Sequence, residues 1–117
     1  MSSWIDTGKM GEELAAEWLK HHHFDILHRN WRNGRFEIDV IASKENVIHF
    51  VEVKTSRTHL FGFPEQRVGK RKIQHLISAA EKYLVHTHAH GKIQLDIISI
   101  SISSGHVYCF FIEDICS

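Results

Sequence analysis

Apolar residues recur at helical spacing over 9–23, where Met10, Leu14, Ala15, Trp18 and Leu19 form one stripe and Glu13, Glu17 and Lys20 fall on the wetter side. Glu12 lies on the edge of that stripe. "FDILHRNW" follows as a short strand. Residues 36–57, "FEIDVIASKENVIHFVEVKTSR", then give two β-branched and aromatic runs with "SKEN" as the expected turn of a hairpin. A loop carrying Gly62, Pro64 and Gly69 leads to a second helix from Lys70. Its stripe is Ile73, Leu76, Ile77, Ala80, Tyr83 and Leu84, and Gly91 is placed to end it. "IQLDIISISI" and "HVYCFFI" close the chain as strands joined by a tight turn at Ser104 and Gly105.

The predicted order is α-β-β-β-α-β-β. The segment between the third and fourth strands has the length of a helical crossover between parallel strands, which predicts two helices on a mixed sheet. Central strands of such a sheet are apolar on both faces. "VIHFVEV" nearly fits, and its acid stands out for that reason.

A length of 117 residues, 43% of them hydrophobic, suits one compact domain over 1–117. Fourteen basic residues balance fourteen acidic ones, so no global field draws the chain to nucleic acid, and any such surface must be local. Eleven histidines add positive charge as the pH falls. No basic-then-apolar leader and no membrane-length apolar run is present, which predicts a cytoplasmic protein with no membrane partner. Cys109 and Cys116 lack metal-site spacing and are expected to stay reduced.

Alternation places Glu37, Asp39 and Ile41 on one side of the second strand, and Ile48, Phe50, Glu52 and Lys54 on one side of the third. With the turn at 43–46, Asp39 falls opposite Phe50 and diagonal to Glu52, at roughly 7–8 Å. Two carboxylates that close, partly buried, raise one another's pKa unless a cation intervenes. A hard divalent ion, Mg²⁺ or Mn²⁺, suits oxygen donors and keeps waters for chemistry. Lys54 reaches the same volume, and Glu12 supplies another carboxylate if the first helix packs there. That is minimal equipment for phosphodiester hydrolysis. Structural ion pairing, with Glu52 and Lys54 as a same-face pair, is the competing account of the same residues. Glu37 is the weaker candidate, a solvent-facing or arginine-paired acid near Arg35.

The blocks "GKMGEELAAEWL", "EIDVIA" and "FVEVKTSR" resemble the signature of the YraN-like family of uncharacterised bacterial proteins, within the PD-(D/E)XK nuclease superfamily and similar to Holliday junction resolvases. The resemblance implies a restriction-endonuclease-like αβββαββ core in the α/β class. It implies a DNA endonuclease acting on branched or damaged DNA, in which Asp39, Glu52 and the backbone carbonyl of Val53 bind Mg²⁺, Lys54 orients the attacking water and Glu12 completes the site. Lys72 matches a basic position of the family's second helix and Asp96 an acid of its fourth strand. Three glycine or Thr-Pro positions of the pattern are instead Phe36, His23 and Gly69-Lys70. The alternatives are a DNA-binding module with the same fold and little catalysis, or a protein-interaction domain.

"RVGKRK" sets Arg67, Lys70, Arg71 and Lys72 at a helix start, where the macrodipole favours anions. A DNA-phosphate patch accounts for them better than stability does, with Arg57 nearby. Arg29, Arg32 and Arg35 either line a groove or balance local acids. His86 and His90, four apart, have metal spacing if helical. Trp4, Trp18 and Trp31 read as core or interface. The apolar last strand suggests an edge needing cover, hence a homodimer.

Overall fold

The computed structural model describes residues 7–57 and 69–116. Trp4, Arg67 and the expected loop with Gly62 and Pro64 lie outside these. Elements run α1 (Thr7–His21), β1 (Asp25–Asn33), β2 (Phe36–Lys44), β3 (Val47–Ser56), α2 (Lys70–Thr87), β4 (Lys92–Ser103) and β5 (His106–Ile112). The five strands form one sheet in chain order, antiparallel except for the parallel β3–β4 pair that α2 connects. This α/β arrangement of a mixed sheet and two helices is the expected one, and it is compatible with a restriction-endonuclease-like core.

The helices cover opposite faces. Ala15 and Leu19 of α1 pack with Phe24, Val40, Ala42, Val51, Ile98 and Ile100. Leu76, Ala79, Ala80 and Tyr83 of α2 pack with Ile38, Ile41, Phe50 and Leu95. Met10, expected in the α1 stripe, is exposed, and Gly11 is buried in its place. A Cβ on Gly11 would lie 1.9 Å from Thr55 Oγ1, so only glycine lets α1 approach β3 this closely.

Helix α1 ends in a Schellman motif. His23 takes φ 70, its N–H donates to Lys20 O at 3.1 Å, and Phe24 N–H donates to Leu19 O at 3.0 Å. Leu19 and Phe24 share one core cluster, which supplies the hydrophobic contact of the motif. His23 therefore does the work of the glycine that the sequence pattern leads one to expect.

Three expectations on boundaries are corrected. The β2–β3 turn is Glu45-Asn46, both at positive φ, while Ser43 and Lys44 remain paired with Ile48 and Val47. Two left-handed residues match the right-handed twist of a hairpin better than a four-residue loop does. Helix α2 stops at Thr87 with His88 left-handed at its C-cap, three residues before Gly91. The first strand is nine residues long and pairs with β2 through a turn at Gly34.

Candidate functional site

Strand phase is broken at one acid. Val40 and Ala42 pack on the α1 side, yet Ile38 and Ile41, three apart, both pack on the α2 side. On the neighbouring strand His28 and Trp31, also three apart, both meet Tyr83 edge-on, with Asn30 between them at φ 53. Asn30 and Asp39 thus occupy matching positions where each strand slips one residue in its alternation. Asp39 stands at the slip and not cleanly on one face.

The β2–β3 ladder stops beside it. Its last pairs are Ile41↔Phe50 and Val40↔Val51. Phe50 is therefore opposite Ile41 and not Asp39, and one further step would set Asp39 against Glu52. The cause of this correction is the shorter turn, which shifts the register by two. Where the ladder ends, Asp39 Oδ2 accepts a hydrogen bond from Val53 N–H at 2.8 Å. An amide and a carbonyl of one strand residue point to the same neighbouring strand, so the Val53 carbonyl faces the same opening.

The electrostatics of that opening are unfavourable to a second negative charge. Asp39 is pushed from 3.8 up to about 6, chiefly by burial and further by the charges of Glu52, Glu12 and Glu37, against the lowering effect of the Val53 amide. Close packing of Gly11 on Thr55 holds α1 beside β3, which brings the next residue, Glu12, within the reach of Asp39's field.

Glu37, Asp39, Glu52, Arg71, Lys72 and His75 line a cleft of about 510 Å³ between the start of β2 and the start of α2. Lys72 Nζ donates to Glu52 Oε2 at 2.8 Å, and this bond raises the Lys72 pKa. Glu52 thus pairs with a lysine of α2. Lys54 lies on the side of the sheet that Glu52 and Phe50 share, partly buried, and among the described residues it has no ion-pair partner. The same-face Glu52–Lys54 pair is therefore not formed. Glu37 pairs with Arg32 at 3.7 Å, while Arg35 lies over the Phe36 ring. Lys70 and Arg71 are exposed on the first turn of α2. Arg57 is exposed just past the end of β3 and does not line the cleft.

Among the described residues no group of three or more His, Cys, Asp or Glu side chains is placed to hold a metal ion. His90 lies beyond α2, so the spacing of His86 and His90 is not helical. His22 stacks on Trp18 at 3.7 Å. Trp18 and Trp31 pack against the two cores. Sequence reasoning missed Gly11, the slip at Asn30 and Asp39, and His75. The small residue among α1's apolar positions was the available signal for Gly11.

The blocks that build this cleft also decide the family. The model of "Uncharacterised protein family UPF0102" matches residues 11–100, from Gly11 into β4. The chain belongs to the UPF0102 family. A UPF0102 protein of Bacteroides thetaiotaomicron is 39% identical over 106 residues, 91% of this chain and 88% of the relative. Another from Flavobacterium johnsoniae is 44% identical over 84 residues, covering 72% and 68%, and one from Syntrophomonas wolfei is 42% identical over 101, covering 86% and 88%. The expected family of uncharacterised bacterial proteins is thus the one found. Among the described residues no helix is long and apolar enough to cross a membrane.

Proposed function

We propose that this UPF0102 protein is a divalent-cation-dependent DNA endonuclease of the PD-(D/E)XK kind. One observation carries the reading. A partly buried carboxyl, Asp39, whose pKa is raised to about 6 chiefly by burial and further by three neighbouring acids, lies directly across from a basic helix start. Anions gathered this way at a cost in stability are the mark of a functional site.

The donor set fits Mg²⁺ or Mn²⁺. Asp39, Glu52 and the Val53 carbonyl, with Glu12 behind them, offer oxygens only and leave one side open. Mg²⁺ is commonly held in that way, by one or two carboxylates with waters and phosphate oxygens completing the shell. When bound, such an ion neutralises charge on a phosphate and acidifies water. Lys54, on the same side as Glu52, orients the attacking water. Lys70, Arg71 and Lys72 approach the backbone phosphates of DNA, assisted by the N-terminus of α2. Arg57 reaches strand that runs past the end of β3. Branched or damaged DNA is the proposed substrate class, as the family resemblance implies.

A second reading has its own support. Lys72 already neutralises Glu52, which suits a DNA-binding module that cuts little. Titration of the apoprotein with Mg²⁺ or Mn²⁺, and cleavage assays on linear, nicked and four-way DNA with wild type, Asp39→Ala and Lys54→Ala, separate the two. Catalysis requires metal-dependent cleavage lost in both variants. Binding without cleavage supports the module, and absence of both leaves structural ion pairing.

A further inference from the structure

On the opposite face of the sheet, His49 and Asp96 form a second polar centre. Asp96 is fully buried in β4, and His49, in β3, is 6% exposed. His49 Nδ1 lies 2.6 Å from Asp96 Oδ2. Asp96 Oδ1 accepts from Gln94 Nε2 at 2.9 Å and from Asp114 N–H at 2.8 Å. With two donors already on the carboxylate, the short bond to His49 requires the proton on Nδ1, which leaves Nε2 as an acceptor in the neutral ring. Among the described residues no buried side-chain nitrogen or oxygen lacks a partner, whereas Nε2 makes no hydrogen bond and so is not fully buried. Nε2 is therefore the atom through which His49 opens onto the cavity that it lines.

That cavity measures about 330 Å³, at the small end of the range of about 300–1,000 Å³ for ligand sites. Trp18, Phe24 and Phe111 give it aromatic walls. Phe24 meets His49 edge-on at 4.9 Å, and Trp18 meets Phe111 at 4.9 Å. The polar groups around it are mainly acceptors. The acceptors are His49 Nε2, the Glu45 and Glu113 carboxylates and the Gln94 carbonyl, the Gln94 nitrogen being spent on Asp96 and Glu113, and His22 and Lys44 complete the polar lining. Aromatic walls with acidic groups also suit a cation, but Lys44 Nζ already sits 4.9 Å over the Phe24 ring and repels one. Stability does not explain the arrangement, because replacing both partners of a buried hydrogen bond by apolar groups of the same shape is nearly neutral.

We propose that this cavity is a binding site for a neutral, planar, amino-bearing heteroaromatic ring, of the chemistry of adenine or cytosine. The ring packs against the part of the aromatic walls left uncovered, since His22 stacks on one face of Trp18 and Lys44 lies over Phe24, and its exocyclic amine donates to His49 Nε2. The site is separate from the Asp39 cleft and does not depend on the reading given to it. A free nucleoside and an unstacked base of a single strand share this chemistry.

The test is ¹H–¹⁵N NMR of the His49 and Trp18 side chains of the full chain, titrated with adenosine, cytidine and uridine, and with single-stranded tetranucleotides of deoxyadenosine and of thymidine. Saturable shifts are expected with adenosine or cytidine, or with the deoxyadenosine strand, and the arm that responds identifies the source. In His49→Asn the amide nitrogen stands where Nδ1 stands and keeps the bond to Asp96, while Nε2 is lost. Affinity should drop roughly tenfold, as for loss of one hydrogen bond to a desolvated group. Glu113→Leu, on the exposed rim, should weaken binding several-fold and serves if His49→Asn does not fold. Lack of saturation in every arm, equal response to uridine, or unchanged affinity in the folded variants would overturn the proposal.

Discussion

Asp39 and Val53 are joined by a side-chain-to-backbone hydrogen bond of 2.8 Å at the point where the β2–β3 ladder ends. The bond holds the carboxyl in the opening between strands, and it favours the ionised form there. Burial and three neighbouring acids outweigh it, so the group binds its proton more tightly in the folded chain than in the unfolded one.

The pH dependence follows from that difference. Between about pH 4 and pH 6 the folded state holds a proton that the unfolded chain has released, so Asp39's contribution to stability falls as pH rises through this window. Above it the full cost remains. Asp39→Asn should therefore stabilise the metal-free protein at pH 7 by on the order of 1–3 kcal/mol. The gain should vanish below about pH 4, where both states are protonated. Urea denaturation of both proteins at the two pH values measures this. An equal gain at both would place the effect outside Asp39's ionisation.

Gly11 and Thr55 set the distance between α1 and β3. A methyl group at Gly11 meets the Thr55 hydroxyl at 1.9 Å and its Cβ at 2.9 Å. Gly11→Ala should cost about 1–3 kcal/mol through overpacking. Adding Thr55→Ala should recover part of that loss and not all, because the Cβ contact persists. Thermal unfolding of the two single variants and the double variant gives the coupling. Additive effects would show that α1 is not held by this contact.

Much of this was legible in the sequence because the apolar stripes of both helices and the alternating strands leave few arrangements of seven elements. Asp39, Glu52 and Lys54 were legible as a group because two adjoining strands cannot hide three polar side chains. Their register was not. It depends on whether the turn takes two residues or four, and Glu45 lacks the Gly or Asn signal of a left-handed turn position. The slip at Asp39 was also hidden, since it needs a matching left-handed residue, Asn30, on another strand. Nor does local pattern show that Lys72, twenty residues on, takes Glu52 as its partner.

His23 occupies the left-handed position of the α1 Schellman motif, at φ 70. A side chain there is strained, and glycine relieves it at some cost in the entropy lost on folding. His23→Gly should raise stability by roughly 0.5–1 kcal/mol, read from denaturant midpoints. A loss would show that the imidazole makes a contact worth more than the strain.

Lys72 competes with any cation for Glu52. Its removal by Lys72→Met should cost less than about 1 kcal/mol of stability, because the lysine is largely solvated. The same change should strengthen Mn²⁺ binding by calorimetry, since one carboxylate is freed of its counter-charge. Binding that weakens instead would mean that Lys72 supports the ion site and does not compete with it.

Lys70 and Arg71 are exposed on the first turn of α2, apart from the Glu52–Lys72 bond, so they can be altered while that bond stays intact. If each meets a DNA phosphate, Lys70→Ala with Arg71→Ala should reduce the slope of log affinity against log salt by roughly 2, about 0.9 for each counterion no longer released. Discrimination between DNA sequences should stay as it was, because phosphate contacts position the strand and do not read it. Fluorescence anisotropy across a salt series measures both quantities. A slope that does not move would take the start of α2 out of the DNA surface, while the acids of the Asp39 cleft, which do not depend on these two residues, would still require their own account.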